Sequence, residues 1–391
     1  MKVEQRPIGV DLFAGVGGMS LGFEQAGFDV VTAFDIELHN VETYNKNFPA
    51  RPAFQFDLSK ATGDQLRRKA KLGKKRIDVV FGGPPCQGFS EIGKRLLADP
   101  RNQLLFHFSR LVRQLKPRYF VLENVEGLTF GDSKNLLKSF LRRVKRAGYD
   151  VVEPVQVLDA ADYGVPQRRH RLFVLGFERG LPAPSYPLPC PLRNSQGRIV
   201  DPKVIDAIRD LQKVADRRDA YDSDVFLGPL GRPSYYAKLL RGEVADPDDQ
   251  SISRERNGDG LSGCLRTWHS DEVVKRFSAT IPGTIEPTSK YYRLANEGLA
   301  RTLRAGTNVD HGSHTAARPI HPDQPRCVTT REAARLQSFP DWFQFHPTRW
   351  HGFKQVGNSV PPRMARAVAR SILQAIRGDN IMQQIHNSRL S

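Results

Sequence analysis

Apolar residues recur along the first 180 positions in two alternating rhythms. Short runs at 8–13, 29–34, 77–81, 119–122, 151–158 and 171–177 are rich in Val, Ile, Leu and Phe. Near-continuous apolar runs of this length are the mark of strands buried on both faces. Between them, stretches such as 104–115 and 134–147 place apolar residues three and four apart, the spacing of a helix with one buried face. Strand and helix in alternation predict an α/β fold with a doubly wound parallel sheet, which holds ligands at the carboxyl ends of its strands.

The rhythm stops after Phe177. Residues 178–200 are dense in Pro and Gly, 241–260 are polar, and 261–330 carry short β-like pieces among many Arg, His, Thr and Ser. Helical spacing returns at 330–337 and 364–376. This predicts one domain built from 1–178 and 355–391 and a second, smaller, mostly irregular and β domain over 179–354. The chain would cross twice between them, around a cleft.

With 391 residues, 39% of them hydrophobic, the chain can bury one large core and a smaller one. Its 59 Lys plus Arg against 42 Asp plus Glu leave a net charge of +17. Such a field draws polyanions, nucleic acid above all, although charge alone fits a merely basic soluble protein equally well. Cys86, Cys190, Cys264 and Cys327 lie far apart, without Cys-x-x-Cys or zinc-like spacing. Neither a disulfide framework nor a metal is expected, and a reducing cytoplasm fits. No apolar run approaches the ~20 residues of a membrane span. The first strand starts almost at once, so no signal peptide is expected. The Lys/Arg run from Arg67 to Arg76 reads as a solvated helix face and loop.

Chemistry concentrates at predicted strand ends. Gly82-Gly83-Pro84-Pro85-Cys86-Gln87-Gly88-Phe89-Ser90 displays a lone thiol after an apolar run. Cys86 is either a nucleophile on an exposed loop or a structural cysteine behind a proline turn. Ala14-Gly15-Val16-Gly17-Gly18 joins the first strand to a helix, but Ser20 breaks the strict Gly-x-Gly-x-x-Gly of dinucleotide sites. Asp35, 20 residues after Gly15, stands where an acid bonds ribose hydroxyls, and Asp57 suits an adenine edge. Glycines with two such acids fit S-adenosylmethionine, which carries a sulfonium and no pyrophosphate. Glu123 at a strand end is a candidate acid or a cap. Arg169 and Arg171, two apart, would share one strand face, with His170 on the other.

Six blocks in order carry a resemblance: Asp11-Leu12-Phe13-Ala14-Gly15-Val16-Gly17-Gly18, Pro84-Pro85-Cys86-Gln87-Gly88-Phe89-Ser90, Glu123-Asn124-Val125, Gln167-Arg168-Arg169-His170-Arg171, Arg331-Glu332-Ala333-Ala334-Arg335, and Gln355 through Pro362. The chain resembles the DNA cytosine-5 methyltransferases of bacterial restriction-modification systems. The resemblance implies a Rossmann-like methyltransferase sheet with S-adenosylmethionine held by Phe13, Gly15, Gly17, Asp35, Ile36, Asp57, Leu58, Leu104, Asn358 and Val360. It implies catalysis by Cys86, Glu123, Arg169 and Arg171. It also implies contact with double-stranded DNA through Gln87, Ser90, Arg95, Thr302 and Arg304, Thr302-Leu303 matching the family's recognition-domain pair. Ile92 departs from the small polar residue that some relatives carry there.

The expected reaction is methyl transfer to C5 of a flipped-out cytosine through a Cys86–C6 adduct, by a cytoplasmic monomer. It would protect host DNA from a companion endonuclease without forming a stable complex with it. A tRNA cytosine-5 methyltransferase shares the fold and thiol chemistry, but the basic, loop-rich insert favours DNA. A non-enzymatic DNA-binding protein on a dead scaffold would not need Cys86, Glu123, Arg169 and Arg171 intact.

Overall fold

The computed structural model describes residues 5–85, 103–131, 133–215, 220–254, 260–305 and 318–390. Its first half alternates as the apolar rhythm requires: β1 (Ile8–Leu12), α1 (Gly18–Gln25), β2 (Asp29–Asp35), α2 (Leu38–Asn47), β3 (Ala53–Gln55), α3 (Gly63–Lys69), β4 (Val79–Gly82), α4 (Gln103–Leu115), β5 (Tyr119–Val125), α5 (Ser133–Arg146), β6 (Tyr149–Val151), β7 (Gln156–Asp159) and β8 (His170–Glu178). The strand order is β3-β2-β1-β4-β5-β8-β6, with β7 also pairing β8.

The sheet is mixed where the sequence predicts a parallel one. β3, β2, β1, β4 and β5 run parallel, but β8 lies antiparallel to β5, β6 and β7. The ten residues between β7 and β8, with a single 3₁₀ turn at Ala160–Tyr163, are too short for a helical crossover, so the chain returns on itself. The run 151–158 is also two strands. Pro154, without an N–H to give a ladder, separates β6 from β7, which pair different stretches of β8.

Alternate residues of the strands feed two cores. Val80 and Phe120 pack with Phe108, Leu111, Phe140 and Val144 under the α3–α4–α5 layer. Val79, Phe81 and Tyr119 pack with Phe23, Phe28, Met364 and Val368 on the opposite face. A Cβ on Gly22 would come within 2.5 Å of the Ala365 Cβ, so α1 needs glycine there to pack against the C-terminal helix.

Beyond β8 the chain forms a two-stranded ribbon, β9 (Leu192–Arg193) with β10 (Ile199–Val200), and short helices α6 (Val204–Ile208), α7 (Gln212–Ala215), α8 (Tyr235–Arg241) and α9 (Asp271–Ala279) among irregular segments. Then come α10 (Thr330–Leu336), α11 (Arg349–Asn358) and α12 (Pro362–Leu390). Val41 and Tyr44 of α2 and Phe48 just after it share a core with Leu336, Phe339, Phe343, Phe353 and Val356. At its centre the fully buried Arg335 guanidinium donates to Asp210 (2.6 Å) and Asp341 (2.7 Å), so its charge is matched inside the fold. Among the described residues no helix is long and apolar enough to cross a membrane.

Candidate active site

The carboxyl ends of β1, β2 and β3 surround the glycine loop. Phe13, Gly15 and Gly17 all take left-handed backbone (φ 61°, 56° and 96°), turning the chain sharply from β1 into α1. The turn is held by Asp35 at the end of β2. Its Oδ2 accepts the Gly15 N–H (2.8 Å) and its Oδ1 the Glu37 N–H (2.9 Å). Burial pushes the Asp35 carboxyl pKa up, and these donors oppose the shift. Oδ1 also accepts from the Asn40 amide (3.2 Å), so Oδ2 is the oxygen that retains a lone pair for a ligand hydroxyl.

The residues fit a nucleoside ligand. A Cβ at Gly15 would meet nothing within 4 Å, so the loop faces open space, whereas one at Gly17 would strike the Phe48 ring at 2.6 Å. Ile36 is 58% exposed despite being apolar, which leaves a flat greasy surface beside the loop. Asp57, just past β3, accepts the Ser59 hydroxyl (2.6 Å), which holds its carboxyl below the usual range. Leu58 is buried beside it, and Leu104 is half-buried in the first turn of α4. From the far end of the chain, the Val360 carbonyl approaches within 2.5 Å of where a Gly18 Cβ would sit, and Asn358 is exposed at the end of α11. The structure therefore brings 358–360 to the glycine loop.

The second half of the site lies at the ends of β4 and β5. Cys86, Gln87, Ser90, Ile92 and Arg95 fall outside the described residues. Their approach is described, and it is tightly held. Asn124 Nδ2 donates to the Pro84 carbonyl (3.1 Å), and a Cβ on Gly83 would lie 2.4 Å from Glu123 Oε2. Glycine at 83 thus lets the Glu123 carboxyl sit against the segment that leads into Cys86. Arg171 Nε stands 2.9 Å from Glu123 Oε1. Burial raises the Glu123 pKa; Arg171 and then Arg169 pull it down without cancelling the rise. This carboxyl keeps its proton more readily than a free glutamate does.

The two arginines diverge. A common strand face, expected from their spacing, holds only for Arg171, because Arg169 precedes β8. Its fully buried guanidinium donates to the carbonyls of Leu303 (3.0 Å), Gly357 (2.7 Å) and Ser359 (2.8 Å). Arg169 thereby clamps three distant segments while its charge still acts on Glu123. His170 points away, 3.4 Å from both Glu126 and Asp159.

Residues 300–303 anneal to this corner. Arg168 N–H donates to Ala300 O (2.8 Å), Thr302 Oγ1 to Arg168 O (2.9 Å), and Leu303 N–H to the buried Gln167 Oε1 (3.1 Å). Gln337 completes the corner, its amide donating to Val356 O (2.6 Å) and Ser359 O (2.7 Å). Arg304 is exposed. Arg293, in the same part of the chain, is buried and donates to the carbonyls of Phe277, Ser278, Thr280 and Pro322. Sequence reasoning assigned no role to Gln167, Asn124 or Gln337. Their position within or beside the motif blocks was the available signal.

Known proteins resemble this chain over most of its length. The family described as C-5 cytosine-specific DNA methylase matches residues 9–374. The Type II methyltransferase M.XorII of Xanthomonas oryzae is 50% identical over 372 residues, 95% of this chain and 86% of that protein. A DNA modification methyltransferase encoded within an E. coli prophage, solved by crystallography, is 32% identical with a TM-score of 0.76, covering 95% of this chain and 99% of that one. The S. pombe Dnmt2 methyltransferase shares the fold, with a TM-score of 0.55 at 17% identity over 95% of this chain and 99% of its own.

Proposed function

The chain belongs to the C-5 cytosine-specific DNA methylases, and on that premise we propose that it methylates C5 of a flipped-out cytosine at a short specific site in double-stranded DNA. The methyl donor is S-adenosylmethionine, held by Phe13, Gly15, Gly17, Asp35, Ile36, Asp57, Leu58, Leu104, Asn358 and Val360. The observation that carries the reading is the protonation-prone Glu123 carboxyl, paired with Arg171 and set against Gly83 on the segment leading into Cys86.

Cytosine C5 is a poor nucleophile. The Cys86 thiolate adds to C6, forming an S–C6 bond and breaking the C5–C6 double bond, and negative charge develops toward N3 and O2. Glu123 gives its proton to N3, and Arg171 stabilises charge at O2. Arg169 holds the corner on which both depend. S-adenosylmethionine supplies an electrophilic methyl for the activated C5. Loss of the C5 proton to a base, expulsion of the Cys86 thiolate and return of the N3 proton to Glu123 then restore the ring and the enzyme. Because C5 and C6 are stacked inside the duplex, the base must first leave it. Gln87, Ser90 and Arg95 would meet the DNA from the catalytic side, and Thr302 and Arg304 from the 179–354 side.

The relatives named Type II methyltransferases support a role as the modification half of a restriction-modification system. The protein would act as a cytoplasmic monomer beside its endonuclease, without stable association. Labelled S-adenosylmethionine offered with duplex DNA or with tRNA tests the reading: label must enter DNA and not tRNA. Bisulfite sequencing of DNA from expressing cells then identifies the site. Label in tRNA alone would overturn the assignment.

A further inference from the structure

The candidate site uses the carboxyl ends of the strands; the opposite edge carries a charge that the site does not explain. Three helix-to-strand connections meet there. Residues 70–78 lead from α3 into β4, 116–118 from α4 into β5, and 147–148 from α5 into β6. They are fastened together. Arg67 donates to the carbonyls of Lys75 (2.9 Å) and Leu115 (2.8 Å), and the Tyr149 hydroxyl donates to Pro117 O (2.7 Å).

The acids along this edge are already paired, Asp78 with Arg118 (3.2 Å), Glu153 with Lys145 (2.7 Å), Asp150 with Arg179 (3.7 Å) and Glu178 with Arg76 (2.5 Å). Lys71, Lys74, Lys75, Lys116, Arg142 and Arg146 are all exposed, and none has an ion pair among the described residues. Cations in the last turns of α3 and α5 complement the helix dipoles. That does not account for Lys71, Lys74 and Lys75, which lie beyond a helix end. Six cations at one edge without counter-charges repel one another until salt anions or a polyanion neutralise them.

We propose that this edge is a second duplex-DNA surface, engaging by its phosphates a DNA segment other than the one held at the candidate site. The seven residues of β5, at about 3.3 Å each, put the two edges roughly 20 Å apart across the body of the sheet. A straight duplex at the carboxyl ends does not also run along the amino ends, so the occupant is a separate stretch of the same long DNA or a second molecule. Such a surface reads no sequence. It keeps the enzyme on long DNA and lets it pass between neighbouring segments. The inference rests on duplex DNA as the substrate class and not on the chemistry of Cys86.

The test uses the full chain saturated with an unlabelled short duplex that it methylates, then titrated with a fluorescent duplex lacking the site. Wild type takes up the second duplex, with affinity falling steeply as salt rises. The combined variant Lys71→Glu, Lys74→Glu, Lys75→Glu, Lys116→Glu weakens that second binding tenfold or more. Methylation of the short duplex stays within about twofold. The four corresponding Gln substitutions, which keep size and polarity, give an intermediate loss and guard against misfolding. No second duplex on wild type, an unchanged second affinity in the Glu variant, or tighter capture of single-stranded RNA would each overturn the proposal. Failure of the proposed function has a different sign, namely no methyl transfer to the short duplex by wild type.

Discussion

Arg171 Nε meets Glu123 Oε1 at 2.9 Å across the β5–β8 pair, although neither residue is the other's register partner. Glu123 stands opposite Phe173 and Arg171 opposite Val125. The ion pair is therefore a diagonal one, two residues out of register on the same sheet face, within reach of a long arginine. It exists only because β8 runs antiparallel to β5, inserted between that strand and β6.

Glu123→Gln retains a polar group of the same shape but cannot give up a proton. Methyl transfer should fall by about 10²–10³-fold, the loss typical when one stabiliser of developing charge is removed. The wild-type carboxyl, with its pKa raised by burial, is protonated below that pKa and loses its proton as pH rises. An alkaline limb in the pH–rate profile should follow, and it should vanish in Glu123→Gln. A persisting limb would assign it to another group.

Cys86→Ala should abolish methyl transfer while Cys190→Ser, Cys264→Ser and Cys327→Ser retain it. A duplex with 5-fluorocytosine at the target should cross-link to wild type, because fluorine blocks loss from C5 and the adduct cannot resolve. Denaturing electrophoresis reads the result directly. A covalent band in Cys86→Ala would make another residue the nucleophile.

Asp35→Ala removes the acceptor of two loop N–H groups along with the proposed ribose contact. S-adenosylmethionine binding measured by calorimetry should weaken by about 1–3 kcal/mol, the cost of leaving buried polar partners unpaired. DNA binding without cofactor should change little. Unaltered cofactor affinity would mean that the pocket lies elsewhere.

Arg169→Met leaves the carbonyls of Leu303, Gly357 and Ser359 without their donor in a dry corner. Denaturant unfolding should show a loss on the order of 3 kcal/mol, since each orphaned buried group costs roughly 1–3 kcal/mol. Arg171→Met should cost less stability and more activity. Equal effects from the two changes would contradict the division between a clamp and a charge partner.

Much of this protein is local and could be read from its residues. A strand, a glycine turn and a helix occupy fewer than twenty consecutive positions, and the 2- and 3.6-residue periods reveal which side is buried. Glu123 and Asp35 stand at or near strand ends for the same reason. Contacts between distant parts of the chain have no period and leave no such mark. Tertiary structure alone decided that β8 turns back antiparallel, because a ten-residue connection has no room for a crossover helix, and that reversal sets Arg171 on Glu123. It also decided that Arg169 turns from the expected common face to three carbonyls more than 130 residues away. A buried guanidinium must place its donors on whatever acceptors the completed fold supplies, and only the fold determines which those are.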